Sequence, residues 1–306
     1  MSLLVNIPNR PLDKLIQRLE EQVPATEIRV HGDDFDKDEI EFALVWKHEA
    51  GSLTGYKNLK GISSFGAGVD SILSDPHLPD VDIARIIDPD LAHNMAMYVL
   101  TQIQHHRLRL NQFQTQQKQL VWKPKSPQRK KRIGILGLGE LGAVAATWLN
   151  NMGFEVSGWS NSKKHIENVA SYTDLNGLDE MLQQSDYLVN LLPLTASTKN
   201  ILNQDVFQKL PQGAVVINVA RGEHIVDEAL IEALDRGHLD FAYLDVFRQE
   251  PLPQEHAFWR HSKIQITPHV SAVTNVETAV NQIVENYRRV KSQRPLINTI
   301  NRQLGY

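Results

Sequence analysis

The chain has 306 residues, of which 42% are hydrophobic and 22% are charged, and its formal net charge is -4. A chain of this size buries a substantial core and has room for two domains. The small net charge argues against a general binder of nucleic acids or membrane surfaces. The absence of cysteine excludes disulfides, thiolate metal sites and a cysteine nucleophile.

We expect no targeting signal in the N-terminal stretch MSLLVNIPNR, because its apolar run is too short for a signal h-region and it lacks a basic n-region. No apolar stretch approaches the roughly 20 residues that a membrane span needs. We therefore expect a cytoplasmic protein with neither a membrane nor a nucleic-acid partner, and no metal site is predicted.

The first hundred residues predict a small α/β unit. The runs LLVNI, EIRV, FALVW and LKGISSF predict strands, and PLDKLIQRLEEQ predicts a helix. The stretch LAHNMAMYVLTQIQHHRLRL then has helical periodicity. The Gln-rich segment NQFQTQQKQLVWKPKSPQRKK that follows is typical of an exposed arm or connector, and is a candidate element for contacting a partner.

From Lys131 onwards, short apolar runs alternate with helix-length segments. The runs are RIGILG, FEVSGWS, DYLVNLLP, GAVVINVA, FAYLDVF and KIQITPH. Runs that are apolar throughout suit strands buried on both faces, so the pattern predicts a parallel sheet covered by helices in the doubly wound architecture. Near the C-terminus, VTNVETAVNQIVENYRRV predicts a long amphipathic helix.

A G-x-G-x-x-G motif lies in GILGLGELGAVAATWL, directly after a predicted strand and at the start of a predicted helix. Its three glycines would permit a tight turn, a close backbone approach to a pyrophosphate and close packing of helix on strand, with the helix N-terminus facing the anion. The alternative is a glycine-rich turn without a ligand. The predicted cofactor contacts in this loop are Gly137, Gly139, Glu140, Leu141 and Gly142.

The next predicted strand, FEVSGWS, ends at Ser160, where an NAD site normally carries an acidic residue for the ribose 2′-hydroxyl. Here Ser160 is followed by Asn161, Ser162, Lys163 and Lys164. A carboxylate would repel a 2′-phosphate, whereas these groups offer donors and positive charge. The missing acid predicts NADPH as cofactor, with NADH used at lower efficiency because lysine is a looser phosphate ligand than arginine. Alternatively, the two lysines only solvate the start of a helix.

Three further segments end predicted strands, where ligands bind in open α/β sheets. INVARGEHIVDE ends a strand at Arg221, LDVFRQEPLP reaches Glu250, and ITPHVSAVT contains His269. Each segment alone is ambiguous, because the chain has 12 histidines, an arginine can serve in a surface ion pair, and a glutamate can be an ordinary loop acid.

Together with the glycine motif, these segments resemble the D-isomer-specific 2-hydroxyacid dehydrogenases, most closely their glyoxylate/hydroxypyruvate reductase branch. The motifs that carry the resemblance are SSFGAGVDSIL, GLGELG, LLPLTASTKNIL, VINVARGEHIVDEAL, LDVFRQEPLP and TPHVSAVT. The resemblance implies an α/β fold of two doubly wound domains. A Rossmann NAD(P)-binding domain is expected at 101–286, and a smaller, flavodoxin-like substrate domain at 1–100 plus 287–306.

The resemblance also implies that Arg221, Glu250 and His269 are catalytic. Reduction of a 2-oxo acid adds hydride to the carbonyl carbon and a proton to the oxygen, and a histidine that titrates near neutrality can supply that proton. A carboxylate beside the imidazole favours its protonated form and fixes its orientation. A guanidinium can hold the substrate carboxylate and polarise the keto oxygen. Arg221 is therefore predicted to contact both cofactor and substrate, and His269 to contact the substrate.

On the substrate side, SFGAGVD resembles the family's carboxylate-binding turn, in which glycines free main-chain N–H groups to face an anion. Ala67 and Gly68 are the predicted contacts. Trp46 falls where this branch has a tryptophan in the substrate pocket, and a core aromatic residue is the alternative.

The resemblance implies three further cofactor contacts, from Leu192, Pro193 and Ala220. Asp245 is predicted to accept a hydrogen bond from the nicotinamide amide, unless it is a buried cap.

The sequence thus predicts an NADPH-preferring reductase of small 2-oxo acids, which converts glyoxylate to glycolate and hydroxypyruvate to glycerate as a homodimer. One alternative is a related dehydrogenase of a different 2-hydroxy acid. Another is a nucleotide-sensing, non-catalytic regulator on the same fold.

Overall fold

The computed structural model describes all 306 residues, which form two compact α/β units. One unit contains Met1–Leu91 and Thr274–Tyr306, and the other contains Ala92–Val273. The strands are β1 (Ser2–Asn6), β2 (Ile28–Val30), β3 (Ile40–Val45), β4 (Gly61–Ser64), β5 (Asp82–Ala84), β6 (Arg132–Leu136), β7 (Glu155–Trp159), β8 (Val169–Tyr172), β9 (Tyr187–Asn190), β10 (Ala214–Asn218), β11 (Leu239–Leu244) and β12 (Ile264–Ile266).

The helices are α1 (Asp13–Glu20), α2 (Asp70–Leu73), α3 (Pro89–Arg107), α4 (Leu110–Lys118), α5 (Glu140–Asn151), α6 (Asp174–Gln183), α7 (Gln204–Lys209), α8 (Asp227–Asp235) and α9 (Val276–Lys291). Short 3₁₀ turns lie at Ala25–Glu27, Lys37–Glu39, Gly222–His224 and Ala257–Arg260. No helix combines the length and the apolar character that crossing a membrane requires.

The first unit is built on a five-stranded sheet in the order β2-β1-β3-β4-β5. All its strand pairs are parallel, which is the flavodoxin-like arrangement. Leu3 and Phe42 from the sheet share a core with Val280, Ile283 and Tyr287 of α9. The amphipathic C-terminal helix therefore covers this sheet.

The second unit is built on a seven-stranded parallel sheet in the order β12-β11-β10-β9-β6-β7-β8. This is the Rossmann strand order with one additional strand at the β12 edge. Successive side chains of β10 enter different cores: Val215 and Ile217 pack in one, and Val216 packs in another. Burial on both faces explains why these strands appear in the sequence as continuous apolar runs. The predicted fold class is confirmed.

The units divide at residues 91/92 and 273/274, whereas the sequence placed the divisions at 100/101 and 286/287. The first division differs because Met95, Val99 and Ile103 of α3 pack in a core of the second unit. The second differs because Ala279 and Ile283 of α9 pack in a core of the first unit. A helix is assigned to the unit that buries its apolar face.

The predicted polar arm begins with a helix that the sequence did not indicate. Residues 110–118 form α4, which has no buried residue and so gives no apolar period to detect. Arg109, with a φ of 59°, separates α4 from α3. The irregular part of the arm is limited to 119–131. The strand predicted to end at Ser160 ends one residue earlier, and the short strands β5 and β8 were not predicted.

Candidate active site

The glycine motif forms the turn between β6 and α5. Gly137 has a φ of 96°, and a Cβ added there would lie 2.7 Å from the Leu191 carbonyl oxygen. A Cβ at Gly142 would lie 1.9 Å from the Gly137 carbonyl oxygen. Glycine is therefore required at both positions, by backbone conformation and by close packing respectively.

The middle glycine of the motif, Gly139, lies in open space, unlike Gly137 and Gly142. A Cβ added at Gly139 would meet no atom within 4 Å. Gly139 is also the N-cap of α5 and supplies no side chain to cap the helix, so the free N–H groups of the first turn face open space beside Glu140 and Leu141. This open, uncapped turn fits a dinucleotide pyrophosphate.

The loop after β7 lies beside this turn, because the Gly137 amide donates to the Trp159 carbonyl at 2.8 Å. The buried Ser160 hydroxyl donates to the Ser162 carbonyl at 2.9 Å and shapes the loop. Asn161, Ser162 and Lys163 are exposed. The Lys163 ammonium makes no ion pair or hydrogen bond within the chain, so its charge is available to an anionic ligand.

His269 and Glu250 form a direct pair. The imidazole Nδ1 lies 3.0 and 2.9 Å from the two carboxylate oxygens of Glu250, and the backbone N–H of Phe247 donates to one of them at 3.2 Å. A carboxylate accepts hydrogen bonds, so Nδ1 carries a proton and Nε2 is left to face a ligand. The two side chains are 32% and 23% exposed, which leaves the imidazole accessible.

The turn that carries His269 is held by hydrogen bonds to Asp245. His269 has a φ of 55°, a left-handed conformation that is uncommon for a residue with a side chain. Its amide donates to the Asp245 carbonyl at 2.8 Å. The Asp245 carboxylate accepts from the Thr267 hydroxyl at 2.6 Å and from the amides of Val270 and Ser271 at 2.9 and 2.8 Å.

Asp245 is 0% exposed. The three donors on its carboxylate make Asp245 a buried cap of the His269 turn. The predicted contact between Asp245 and the nicotinamide amide stays a prediction. The Tyr98 hydroxyl lies 2.5 Å from the Thr267 hydroxyl, and burial raises the pKa of Tyr98 to about 12. Tyr98 therefore remains neutral beside this network.

Arg221 follows β10, which lies next to β11 in the sheet, and Nη1 of its side chain donates to the Ala220 carbonyl at 2.6 Å. A Cβ at the next residue, Gly222, would lie 1.9 Å from the Phe247 carbonyl carbon. The loop of Arg221 is thus packed on the loop that leads to Glu250. The fold brings the predicted catalytic arginine, glutamate and histidine to the ends of three neighbouring strands.

A buried polar network that the sequence did not predict joins two of these loops. The Asn190 side-chain amide donates to Asn218 Oδ1 at 3.0 Å and to His224 Nδ1 at 2.9 Å. His224 Nε2 lies 3.3 Å from the Pro193 carbonyl oxygen, and the Asn218 amide donates to the Arg221 carbonyl at 2.8 Å. The network links the loop of the predicted cofactor contacts to the loop of the predicted catalytic arginine.

The side-chain oxygens of Asn190 and Asn218 also accept hydrogen bonds from the backbone of two predicted cofactor contacts, Leu192 and Ala220. The Leu192 backbone N–H donates to Asn190 Oδ1 at 3.3 Å, and the Ala220 N–H donates to Asn218 Oδ1 at 3.3 Å. Both asparagines end otherwise hydrophobic strands, YLVN and AVVIN. An amide that ends a buried strand was the available signal for this network.

Three of the five predicted substrate contacts lie together in the first unit, namely Trp46, Ala67 and Gly68. Trp46 follows β3, and a Cβ added at Gly66 would lie 2.4 Å from its ring, so the indole rests directly on the glycine turn after β4. The Ser64 hydroxyl donates to the Gly68 carbonyl at 2.8 Å and closes that turn. Ala67, Gly68 and Trp46 are all partly exposed.

The chain is similar to known proteins over its whole length. Residues 97–271 match the profile of the D-isomer specific 2-hydroxyacid dehydrogenase, NAD binding domain. A glyoxylate/hydroxypyruvate reductase A from Serratia proteamaculans is 37% identical over 100% of both chains. The chain belongs to the D-isomer specific 2-hydroxyacid dehydrogenase family. The predicted family is therefore confirmed.

Solved structures of this family have the same fold. A D-isomer specific 2-hydroxyacid dehydrogenase from Xanthobacter autotrophicus Py2, in complex with NADPH and MES, superposes with a TM-score of 0.95 at 36% identity, covering 100% of this chain and 99% of that one. An NADPH-dependent glyoxylate/hydroxypyruvate reductase from Sinorhizobium meliloti, in complex with NADP and sulfate, gives 0.93 at 35% identity and covers 100% of both chains.

Proposed function

We propose that this 2-hydroxyacid dehydrogenase is an NADPH-preferring reductase of small 2-oxo acids, which converts glyoxylate to glycolate and hydroxypyruvate to glycerate. The second unit is its NAD(P)-binding domain and the first unit is its substrate domain. The observation that carries the proposal is the imidazole–carboxylate pair of His269 and Glu250, at the strand ends of a Rossmann fold with an open glycine turn. The names of the relatives support the same activity.

His269 is the general acid of the reduction. Its Nδ1–H is held by Glu250, so the proton on Nε2 passes to the carbonyl oxygen as that oxygen becomes a hydroxyl. Glu250 stabilises the imidazolium before the transfer and keeps the ring oriented. Arg221 holds the substrate carboxylate and stabilises negative charge on the keto oxygen. Bound NADPH would supply the hydride that the carbonyl carbon receives.

The cofactor preference rests on the loop after β7. Ser160, Asn161, Ser162 and Lys163 provide hydroxyl, amide and ammonium groups where an acidic residue would favour NADH. The glycine turn receives the pyrophosphate, and the loops of Leu192, Pro193 and Ala220 line the remainder of the cofactor. Asp245 contributes by fixing the His269 turn.

On the substrate side, the backbone amides of Ala67 and Gly68 bind the carboxylate of the 2-oxo acid, and Trp46 covers its carbon chain. This assignment rests on the resemblance of the SFGAGVD turn to the family's carboxylate-binding turn. The indole is placed directly on that turn, as a residue that limits substrate size would need to be.

The enzyme acts as a cytoplasmic homodimer without a nucleic-acid or membrane partner. Six of the 13 exposed large hydrophobic side chains fall within 26 consecutive residues of α3, α4 and the arm, and they are Met97, Leu108, Leu110, Leu120, Val121 and Trp122. A concentration of exposed apolar side chains along one segment favours an interaction surface on that segment.

The dimer is tested by light scattering on Trp122→Asp, which changes a side chain that is 97% exposed. The variant is expected to shift to the monomer. Leu304→Asp, which places the same charge at an exposed position near the C-terminus, is expected to leave the dimer intact. A wild-type chain that is monomeric at micromolar concentration would contradict the proposal.

The proposed activity is tested by initial rates with glyoxylate and hydroxypyruvate, each with NADPH and with NADH. Turnover with NADPH that exceeds turnover with NADH is the expected result. Tight NADPH binding without turnover of any 2-oxo acid in a panel would instead indicate a nucleotide-sensing regulator.

A further inference from the structure

Arg10 lies in the loop after β1, next to the tryptophan of the proposed substrate site. Its guanidinium carbon is 5.8 Å from the centroid of the Trp46 ring. The side chain is exposed and makes no ion pair or hydrogen bond within the chain. Arg10 is therefore a permanent cation whose five N–H donors have no protein acceptor.

The position of this cation follows from the sheet topology. β1 lies between β2 and β3, so the chain passes to opposite sides of β1 and the topological switch point of this sheet is between β1 and β3. Arg10 follows β1 and Trp46 follows β3. In doubly wound sheets this crevice, beyond the carboxyl ends of the strands, is where ligands bind.

The backbone of the loop is held in one shape. Pro8 and Pro11 flank the segment, and Asn9 adopts a left-handed φ of 58°. Each proline fixes its own φ. Pro11 also restricts the backbone of Arg10, which directly precedes it. The indole of Trp46 then orients the guanidinium by a cation–π contact. The same indole packs on the glycine turn at Gly66, so Arg10 and that turn contact the same side chain.

We propose that Arg10 is a specificity-determining residue that binds a second anionic group on the carbon chain of the substrate, so that this enzyme also reduces 2-oxo acids bearing a distal carboxylate or phosphate, besides glyoxylate and hydroxypyruvate. The inference rests on the proposed function. In the first unit, the proposed carboxylate-binding turn at Ala67 and Gly68 already accounts for the carboxylate next to the keto group. A further cation at the switch point of the same sheet can bind a second anionic group, because a guanidinium matches a carboxylate or phosphate with two parallel hydrogen bonds.

The test compares kcat/KM for substrates that differ at the distal group, with saturating NADPH. Pyruvate has a neutral methyl group, oxaloacetate has a distal carboxylate, and phosphonooxypyruvate has a distal phosphate. We divide kcat/KM for oxaloacetate and for phosphonooxypyruvate by kcat/KM for pyruvate. In Arg10→Leu both ratios are expected to fall about tenfold or more, mainly because KM for the two more highly charged substrates rises. The substrate with the larger fall identifies the anion. Arg10→Lys is expected to retain part of the ratio, because it keeps the charge and loses the planar fork.

Arg302→Leu is the matched control, because it removes the same charge from the surface of the same unit, beside Asp80. Its substrate ratios are expected to equal those of the wild type. Equal ratios in Arg10→Leu and the wild type would overturn the inference, as would equal losses for pyruvate and for the dianionic acids. If the wild type reduces no 2-oxo acid, the proposed function fails, and calorimetric titration of the NADP⁺-bound protein with oxaloacetate and pyruvate still measures whether Arg10→Leu changes anion binding.

Discussion

The His269 turn and the Arg10 loop both follow parallel strands, but they are held in different ways. The turn is fixed by a fully buried carboxylate that accepts three hydrogen bonds, and its imidazole is paired with Glu250. The Arg10 side chain is exposed, and a contact with one aromatic ring is its only interaction. Groups proposed to do chemistry are thus positioned by buried networks, whereas groups proposed to select ligands are exposed and can change with little effect on folding.

The comparison is tested most strongly by His269→Ala. We expect kcat to fall by about 10²- to 10⁴-fold, because a positioned general acid contributes about this much, while the NADPH dissociation constant stays within about threefold of the wild type. Initial rates and fluorescence titration measure the two effects. His165→Ala alters an exposed histidine that makes no hydrogen bond and serves as the control. A His269→Ala enzyme that keeps a tenth of its activity would show that another group donates the proton.

The second prediction concerns the buried support. In Asp245→Asn, one carboxylate oxygen becomes an NH₂ group that faces a donor, so a buried N–H or O–H loses its acceptor. The free energy of unfolding is expected to fall by about 2 kcal/mol, and kcat is expected to fall because the His269 turn loosens. Urea denaturation and steady-state rates measure both. Reduced NADPH affinity with unchanged stability would instead support a direct contact between Asp245 and the cofactor.

The sequence predicted this molecule unevenly, for physical reasons. The strands of the second unit were visible because burial on both faces makes them apolar throughout, as in AVVIN. Helix α4 was not visible, because none of its residues is buried. The signal that α4 leaves in the sequence is backbone propensity, which is weak.

In the candidate site, the sequence and its family resemblance indicated Arg221, Glu250 and His269, and the fold brings their loops together. The supporting network of Asn190, Asn218 and His224 was not predicted. Two of its members are amides at strand ends, and only the path of the loops shows that their polar atoms meet. Counting the acceptors on a buried carboxylate such as Asp245 likewise requires the fold.

The third prediction concerns an exposed cation that is proposed to select a ligand. Lys163 is an exposed cation without a partner, as Arg10 is. Lys163→Asp is expected to lower the ratio of kcat/KM for NADPH to that for NADH by about tenfold, because the substitution replaces attraction of the 2′-phosphate by repulsion at a solvent-screened position. Its stability is expected to match that of the wild type. Lys131→Asp makes the same charge change at an exposed position directly before β6 and is expected to leave the ratio unaltered. An unaltered ratio in Lys163→Asp would remove this residue from the 2′-phosphate site.

The smallest effect on stability is expected at Asp240. Its environment is intermediate between that of the buried Asp245 and those of the exposed Arg10 and Lys163. Its carboxylate is 46% exposed but lies 3.0 Å from Nε2 of the buried His106. The hydrogen bond with His106, followed by the nearby charge of Lys130, lowers the pKa of Asp240 from 3.8 to about 2. Because the folded pKa is the lower one, this contribution to stability is complete above about pH 4 and is lost as the pH falls toward 2.

Solvent screening limits that contribution to about 1 kcal/mol. Asp240→Asn should therefore be less stable than the wild type by about this amount at pH 7, and the difference should shrink between pH 4 and pH 2. Urea denaturation across this range measures the gap. Asp33→Asn changes an exposed carboxylate that has no side-chain partner, and its difference from the wild type should not vary with pH. If the stability difference between Asp240→Asn and the wild type stays constant down to pH 2, the hydrogen bond between Asp240 and His106 does not contribute to stability.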